Sequence, residues 1–356
     1  MRRVRMGLLA VMALAACDSS GSAPPDETAT ATTATATNGA DATSAADTTA
    51  TTASEDTATV EETSAPDVVA GDPNPLGERL TFATETITVQ PGKERQVCKV
   101  VNIPGDKAVD IVRIESRMHG TSHHFNLYKV INEDKLKPAT GTDATTHDCP
   151  PAGEQLAGDA AYIFGAATSE RSMVTPAGVA FHLEPGQRLI VEYHGLNYTT
   201  EANEGGVEVD LIEAAPEANI EHHADILWMA NWSFFLPEGE SSDTTSCTVP
   251  YNVKVFSIMS HFHELGTDFT IESKLGGQYS QIYENEDWSH PIVEQFDPPM
   301  DLQAGDGFRW TCTWDNWRGH VVSPGKNSTD EMCMIFAAAY PTDTLDAQPV
   351  QCNVLF

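Results

Sequence analysis

Short runs in which apolar and polar residues alternate recur along the chain from Leu80 onward. They are rich in Val, Ile, Thr, Tyr and Phe, and turns such as Pro-Gly, Gly-Gly and Ala-Gly-Asp-Gly separate them. A period of two is typical of a strand with one buried face. The runs are LTFATETITVQ, VDIVRIES, HHFNLYKVI, QRLIVEYHGL, VEVDLIEA, YNVKVFSIMSHFH, TDFTIESKL and GFRWTCTW.

Long amphipathic helical patterns are scarce, so the pattern predicts an all-β protein. Many short strands with turn residues between them favour two tandem antiparallel β-sandwich domains, jelly-roll-like in type. We predict one domain over 71–216 and a second over 217–356, with Ala214–Ala218 as the connection. The part of the chain from Gly71 to Phe356 has a length that suits two domains of ordinary size.

The first residues indicate export. Arginines precede a short apolar stretch, 6–16, which cannot span a bilayer, and the stretch ends in Leu-Ala-Ala-Cys. This ending resembles the lipobox of bacterial lipoproteins. We therefore predict a signal peptide over 1–17 and a lipidated Cys17, which would make the chain an exported lipoprotein, periplasmic or cell-surface, anchored through Cys17. The alternative is an ordinary cleaved signal with an incidental cysteine.

Residues 18–70 consist mainly of Ala, Thr, Ser and Asp and contain no Lys or Arg. Such a segment cannot bury a core, so it is predicted to be a disordered tether. The formal net charge of the chain is −32, which argues against nucleic acid as a partner because phosphate binding needs basic patches. The expected partner is a small-molecule substrate, the expected membrane contact is the lipid alone, and the chain is expected to be a monomer.

Cysteine usage agrees with an oxidising compartment. The chain has seven cysteines, and with Cys17 assigned to the lipid an even number remains. Widely spaced cysteines without a C-x-x-C motif indicate disulfides rather than a thiolate metal site. Sequence spacing alone leaves their pairing open. These cysteines are Cys98, Cys149, Cys247, Cys312, Cys333 and Cys352.

Potential metal ligands occur in separate clusters along the chain. Imidazole suits Cu, Zn, Fe and Ni, and a thioether adds a preference for Cu(I). We therefore predict two copper sites, which suggests chemistry with O2. The candidate ligands are His123, His124, His194, His261, His263 and Met332.

Strand geometry makes these candidates testable. His261 and His263 share a face because they are two residues apart, whereas His123 and His124 would face opposite ways on a regular strand. If both bind one metal, the strand must bulge or end there. Met332 and Cys333 should likewise face opposite ways. The other histidines are interpreted as ordinary polar or core residues: His119, His147, His182, His222, His223, His290 and His320.

The segments VFSIMSHFHELG, AGDGFRWTCTWDN and above all DEMCMIFAAAYP resemble the copper type II, ascorbate-dependent monooxygenases, the family of peptidylglycine α-hydroxylating monooxygenase and dopamine β-monooxygenase. The N-terminal half is similar through TSHHFNLY and GVAFHLEPGQRLIVEYHGLNYT. The resemblance implies one copper in each of two sandwich domains, with the metals facing each other across a cleft.

By this resemblance, His123, His124 and His194 would bind the electron-transferring copper, and His261, His263 and Met332 the copper at which O2 reacts. The resemblance also implies the disulfides Cys98–Cys149, Cys247–Cys352 and Cys312–Cys333. The implied reaction is R–H + O2 + 2e⁻ + 2H⁺ → R–OH + H2O, with ascorbate or another one-electron reductant as the electron source.

The chain departs from the peptide-amidating enzyme at its substrate pocket. That enzyme has an arginine two residues before its His-x-His, where this chain has Met259, and an asparagine and a tyrosine just after its Met-Cys, where this chain has Met334 and Phe336. The departures favour an apolar or aromatic substrate over a peptide terminus. The alternatives are a copper-binding and storage lipoprotein without catalysis, and a surface sandwich that binds no metal.

Overall fold

The computed structural model describes residues 72–131, 147–149, 160–325 and 329–342. Within these ranges the chain forms strands and no helix, so the predicted all-β class is confirmed. It follows that no described helix is long and apolar enough to cross a membrane. The predicted signal peptide, Cys17 and the predicted tether lie outside the described residues, as does Cys352.

The first twelve strands form two sheets. Sheet I has seven strands in the order β1-β11-β4-β9-β12, with β2 added on β11 and β8 on β4, and sheet II has five in the order β6-β3-β10-β5-β7. Pairing is antiparallel except between β9 and β12, which run parallel. The strands are β1 (Leu76–Ala83), β2 (Ile87–Val89), β3 (Lys93–Asn102), β4 (Val109–Gly120), β5 (Ser122–Val130), β6 (His147–Asp148), β7 (Ala160–Ala166), β8 (Glu170–Val174), β9 (Val179–Leu183), β10 (Arg188–Asn197), β11 (Asn203–Ala214) and β12 (His222–His223).

The remaining strands form two four-stranded sheets. Sheet III has the order β13-β20-β15-β18 and sheet IV the order β14-β19-β16-β17, and all their pairs are antiparallel. The strands are β13 (Asp225–Ala230), β14 (Gly239–Thr248), β15 (Val253–His261), β16 (Gly266–Leu275), β17 (Gln278–Asn285), β18 (Val293–Leu302), β19 (Gly307–Asn316) and β20 (Met334–Tyr340).

Strand β10 shows how the alternating pattern builds the fold. Leu189, Val191 and Tyr193 are fully buried in a core between sheets I and II. Sheets III and IV enclose a second core that contains the buried indoles of Trp310 and Trp314. Burying aromatic side chains of this size is a main source of stability in each pair of sheets.

The other face of sheet II packs against sheet III. Ile190, Tyr128 and Tyr162 of sheet II form one apolar cluster with Met259 of β15 and the partly buried Phe336 of β20. The ion pair between Lys129 and Asp225, 2.6 Å long, joins the same two sheets. The described residues therefore belong to one compact unit, and the division into domains 71–216 and 217–356 stays a prediction.

Disulfides follow the predicted pairing where the structure describes both cysteines. Cys98 bonds to Cys149 and Cys312 to Cys333. Cys247 is also disulfide-bonded, and its predicted partner lies outside the described residues. The Cys312–Cys333 bond ties strand β19 to the residue that follows Met332, next to the second set of candidate ligands.

Candidate metal centre

A bulge in strand β5 brings the adjacent histidines together. His124 lies directly opposite His194 of β10, but Ser122 lies opposite Gly195, so His123 is an extra residue in β5. A bulge of this kind lets consecutive side chains turn toward one side of the sheet. A metal shared by both histidines would require β5 either to bulge or to end at this point, and the structure shows the bulge.

The three imidazoles form a close cluster. Their ring centroids are 5.0 Å apart for His123 and His124, 5.5 Å for His123 and His194, and 4.9 Å for His124 and His194. Each residue offers a nitrogen, and these nitrogens all lie within 4.8 Å of one another. The Nε2 of His194 is 3.0 Å from the Oε2 of Glu94, a carboxylate partner of the type that orients metal-binding histidines.

Burial keeps the rings of His123 and His124 neutral. Desolvation, with a smaller contribution from the neighbouring histidines, lowers the pKa of His123 to about 4 and that of His124 well below its usual value. The buried Nε2 of His123 has no hydrogen-bond partner among the described residues. A neutral imidazole with an unpartnered nitrogen is ready to donate to a metal ion.

The second set lies where strand β15 ends. His261 is the last residue of β15, and its ring centroid is 5.2 Å from that of His263, with the ring planes nearly perpendicular at 87°. Burial lowers the pKa of His261 to about 3 and also lowers that of His263. The Nδ1 of His263 is 2.9 Å from the backbone oxygen of Asp330. Donation from this Nδ1 leaves the Nε2 of His263 as its metal-binding atom.

Glu331 fixes the turn that carries His263. Its buried carboxylate accepts hydrogen bonds from the backbone N–H groups of His263, Leu265 and Met332, at 3.0, 2.8 and 3.3 Å, and from the Trp314 indole at 3.2 Å. Desolvation raises the pKa of Glu331 to about 7, although these hydrogen bonds oppose the shift. Nothing in the sequence predicts this role for Glu331, because no pattern around Met332 indicates that its acidic neighbour is buried.

Met332 and Cys333 face opposite ways, as predicted. Met332 packs with Trp228 and Met334, with Phe336 at the edge of the cluster, whereas Cys333 lies in the core between sheets III and IV. The ring of Phe336 is 6.3 Å from that of His261. Phe336 therefore lies near His261 and packs against the cluster that contains Met332.

The two histidine sets are close enough to interact electrostatically. A charge on His263 lowers the pKa of His123, and charges on His261 and His263 lower that of His124. Trp288, from the segment between β17 and β18, lies 5.6 Å from His123 between ring centroids. Both candidate sites therefore lie at the interface between sheets II and III.

The predicted pocket residues have well-defined neighbours. The Phe336 ring lies 4.5 Å from Tyr162 between centroids, and the Trp228 indole N–H points at the sulfur of Met334 at 3.0 Å. The guanidinium of Arg171, from strand β8, lies 3.4 Å from the sulfur of Met259. Phe336 and Met334 therefore have aromatic neighbours, whereas Met259 lies beside a cation.

Arg171 is a buried cation that the sequence analysis missed. It donates to the backbone oxygen of Gly165, and its guanidinium carbon lies 4.8 Å from the centre of the Phe164 ring. Burial lowers its pKa, and no carboxylate pairs with it among the described residues. The signal was hidden because Arg171 and Met259 are far apart in sequence.

These elements define a class of protein: an all-β metalloprotein candidate, with a three-histidine cluster beside a histidine pair and a buried methionine. Neutral imidazole and thioether are ligands that copper accepts readily, so the donor set fits copper. Residues 237–353 match the family model of the copper type II ascorbate-dependent monooxygenase, C-terminal domain. The resemblance inferred from the sequence is thus confirmed over this part of the chain.

Other comparisons add little. No curated protein matches the chain. Among solved structures, the STIV MCP is similar at a TM-score of 0.34 and 8% identity, covering 76% of this chain and 100% of that one. The major capsid protein P2 from bacteriophage PM2 gives a TM-score of 0.33 at 10% identity, covering 74% and 97%. Similarity at this level carries no inference about function.

Proposed function

We propose that this chain is a copper-dependent monooxygenase that hydroxylates a C–H bond of a small apolar or aromatic substrate, using O2 and a reductant such as ascorbate. One observation carries the proposal. Two sets of histidines lie close together at the interface between sheets II and III, and burial lowers the pKa of four of them, His123, His124, His261 and His263. The second set lies within residues 237–353, which match the family's C-terminal domain.

The ligand assignment follows the two sets. His123, His124 and His194 would hold one copper, and His261, His263 and Met332 a second. When bound, the coppers would supply the one-electron steps and the site for O2 that the overall reaction R–H + O2 + 2e⁻ + 2H⁺ → R–OH + H2O requires.

The chain's own residues orient and shield these ligands. The carboxylate of Glu94 holds the Nε2 of His194, and the backbone oxygen of Asp330 holds the Nδ1 of His263. Glu331 fixes the backbone on both sides of the second site through its contacts with the N–H groups of His263 and Met332. Fixed ligands reduce the rearrangement that a change of copper oxidation state would otherwise need.

The neighbours of the second site support an apolar or aromatic substrate. Phe336 lies beside both His261 and Tyr162, and Trp228 and Met334 line the adjacent cluster. Arg171 adds a buried positive charge at Met259. A substrate screen should therefore pair each aromatic compound with a version that carries a carboxylate, so that the contribution of Arg171 can be measured.

Copper binding and O2 uptake test the proposal. The full chain would be loaded with copper, desalted and reduced with ascorbate, and we expect two reducible coppers per chain. O2 consumption above the background from ascorbate alone should then depend on substrate, with one hydroxylated product formed for each O2 consumed. Two coppers without substrate-dependent uptake across the screen would favour the copper-storage alternative, and one copper or none would reject the two-site assignment.

The proposal includes a cellular location. The chain would be a monomeric lipoprotein attached to a bacterial membrane through Cys17, with its metal sites in the periplasm or outside the cell. Mass spectrometry of the mature protein would detect the lipid on Cys17, and a Cys17→Ala variant should move from the membrane fraction to the soluble fraction. An unlipidated mature chain that lacks Cys17 would instead indicate an ordinary cleaved signal.

A further inference from the structure

A second group of metal-ligand side chains lies on sheet I. Asp110 of β4 is directly opposite His182 of β9, and His223 of β12 is opposite Ala180, two residues earlier in β9. Cross-strand partners point to the same side of a sheet, as do residues two apart. The topology therefore brings residues from three strands to one face, although they are widely separated in sequence.

The distances within this group match those of a metal site. The Oδ1 of Asp110 is 2.8 Å from the Nδ1 of His182 and 3.5 Å from the Nε2 of His223, and the donor atoms of all three residues lie within 4.8 Å of one another. Ligands about 2.1 Å from one ion are separated by roughly 3.0–3.4 Å in octahedral or tetrahedral geometry. The two shorter separations bracket that range.

Two further features suit a metal ion. The rings of His182 and His223 are stacked, with centroids 4.4 Å apart and planes 26° apart, so both present an edge to Asp110. The Oε1 of Glu184 is 3.6 Å from the Nε2 of His182. A carboxylate near the nitrogen that does not bind the metal is the usual support of a metal-binding histidine.

We propose that Asp110, His182 and His223 bind a divalent ion of the Zn²⁺ class, separate from both copper sites. Two imidazoles and one carboxylate form a common zinc ligand set that leaves coordination positions for water. About a third of each side chain is exposed, at 33%, 33% and 37%, so the ion can enter from solvent. The proposal does not depend on the copper chemistry.

The position of His223 gives such an ion a structural role. Strand β12 has only two residues, and along the chain it belongs to the segment that connects β11 of sheet I to β13 of sheet III. The backbone oxygen of His223 accepts hydrogen bonds from the N–H and hydroxyl of Thr342, which follows β20, at 2.9 and 3.0 Å. A bound ion would crosslink this connecting segment to β4 and β9 and so stabilise the attachment of sheet III to sheet I.

The test is zinc stoichiometry of the full chain after removal of all metal. Wild type would be compared with His182→Gln and His223→Gln, and with His222→Gln as the matched control. His222 is the neighbouring histidine, and its ring lies near Tyr340 at 5.8 Å rather than in the group. Bound Zn²⁺ would be measured by elemental analysis after dialysis against buffered metal, and circular dichroism would check that each variant is folded.

We expect His182→Gln and His223→Gln each to bind one Zn²⁺ fewer than wild type, and His222→Gln to bind as many as wild type. Zinc should also raise the melting temperature of wild type more than that of His223→Gln. If either variant fails to fold, the nearly isosteric Asp110→Asn replaces it. Equal stoichiometry in all folded variants, or an equal loss in His222→Gln, would overturn the proposal.

Discussion

The two candidate copper sites are built from different kinds of structure. The cluster of His123, His124 and His194 lies within paired strands, where a single extra residue in β5 produces the arrangement. The second set combines the end of β15 with a turn, and depends on the buried carboxylate of Glu331 for its shape. At the first site, the backbone pairing of β5 with β10 fixes the ligands. At the second site, the hydrogen bonds of Glu331 and the nearby Cys312–Cys333 disulfide fix the turn.

Because of this difference, we expect the two sites to respond differently to mutation. Removing a carboxylate that supports the ligands should affect the second site more than the first. Glu331 is buried and accepts four hydrogen bonds, whereas Glu94 is about half exposed and contacts one ligand, His194. The first site, in turn, should be sensitive to the length of β5, since deleting one residue there restores a regular strand and separates the paired histidines.

The largest expected effect comes from Met332→Ala. The change removes the only proposed thioether ligand and leaves the His123, His124 and His194 cluster untouched. We expect hydroxylation to fall below detection, while at least one reducible copper per chain remains. Product formation and copper stoichiometry measure the two effects on the same sample. Full turnover in Met332→Ala would show that the second site is not the site of oxidation.

Glu331→Gln should have the next largest effect. An amide nitrogen would then face backbone N–H donors, so one or more buried groups lose their partner, which costs about 1–3 kcal/mol each. We expect copper affinity at the second site to fall by roughly 10–100-fold, as is typical for loss of a ligand's support. Titration against a Cu(I) chelator measures the affinity.

Glu94→Gln is the matched control in the first site. Its side chain is 52% exposed, so water can replace the lost contact with His194, and the loss of affinity there should be smaller than that caused by Glu331→Gln in the second site. An equal or larger effect of Glu94→Gln would contradict the distinction between a site fixed by paired strands and a site fixed by a turn.

Sequence reasoning was most successful where the chemistry lies within a strand. Alternation predicted the strands around His194 and His261. The rule of opposite faces indicated that β5 must bulge or end at His123 if both histidines bind one metal, and it predicted that Met332 and Cys333 face opposite ways. These predictions needed only the period of two. The all-β class followed from the same pattern.

Sequence reasoning was less successful where burial, or pairing between strands distant in sequence, determines which side chains come together. His182 and His223 were interpreted as ordinary histidines because nothing in the sequence indicates that β12 pairs with β9 beside Asp110. Arg171 was missed for the same reason, since its contact with Met259 joins two sheets. Side chains brought together by non-local strand pairing leave no periodic signal in the chain.

Acid should destabilise the metal-free protein. The pKa of His261 falls from 6.5 to about 3 on folding, so its contribution to stability is complete above pH 6.5 and is lost as the pH falls toward 3. One such group lowers the free energy of unfolding by about 2 kcal/mol between pH 7 and pH 5. Urea denaturation at pH 7 and pH 5 measures the free energy of unfolding. Its decrease between the two pH values should be smaller in His261→Gln than in wild type by about this amount.

His123, with a folded pKa of about 4, extends the comparison between the sites. His123→Gln should reduce the pH dependence by nearly the same amount as His261→Gln at pH 5, and by less below pH 4, where His123 becomes protonated in the folded state. Identical curves for wild type and both variants would show that the two histidines are not desolvated in the folded protein.

Arg171→Met should have the smallest effect on stability. Arg171 has no acidic partner in the part of the chain that the structure describes. Replacing such a buried charge with an apolar side chain of similar length is often neutral or stabilising, so we expect the free energy of unfolding to change by less than about 1 kcal/mol. Arg113→Met is the control, because Arg113 pairs with Asp72 at 3.0 Å and its loss should cost about 1–3 kcal/mol. Urea denaturation of both variants measures the difference.

If Arg171→Met lowers the free energy of unfolding as much as Arg113→Met does, the contacts of Arg171 with Gly165 and Phe164 already offset the cost of burying its charge. A neutral result, together with a weaker preference for carboxylate-bearing compounds in the substrate screen, would instead indicate that the arginine acts on the substrate.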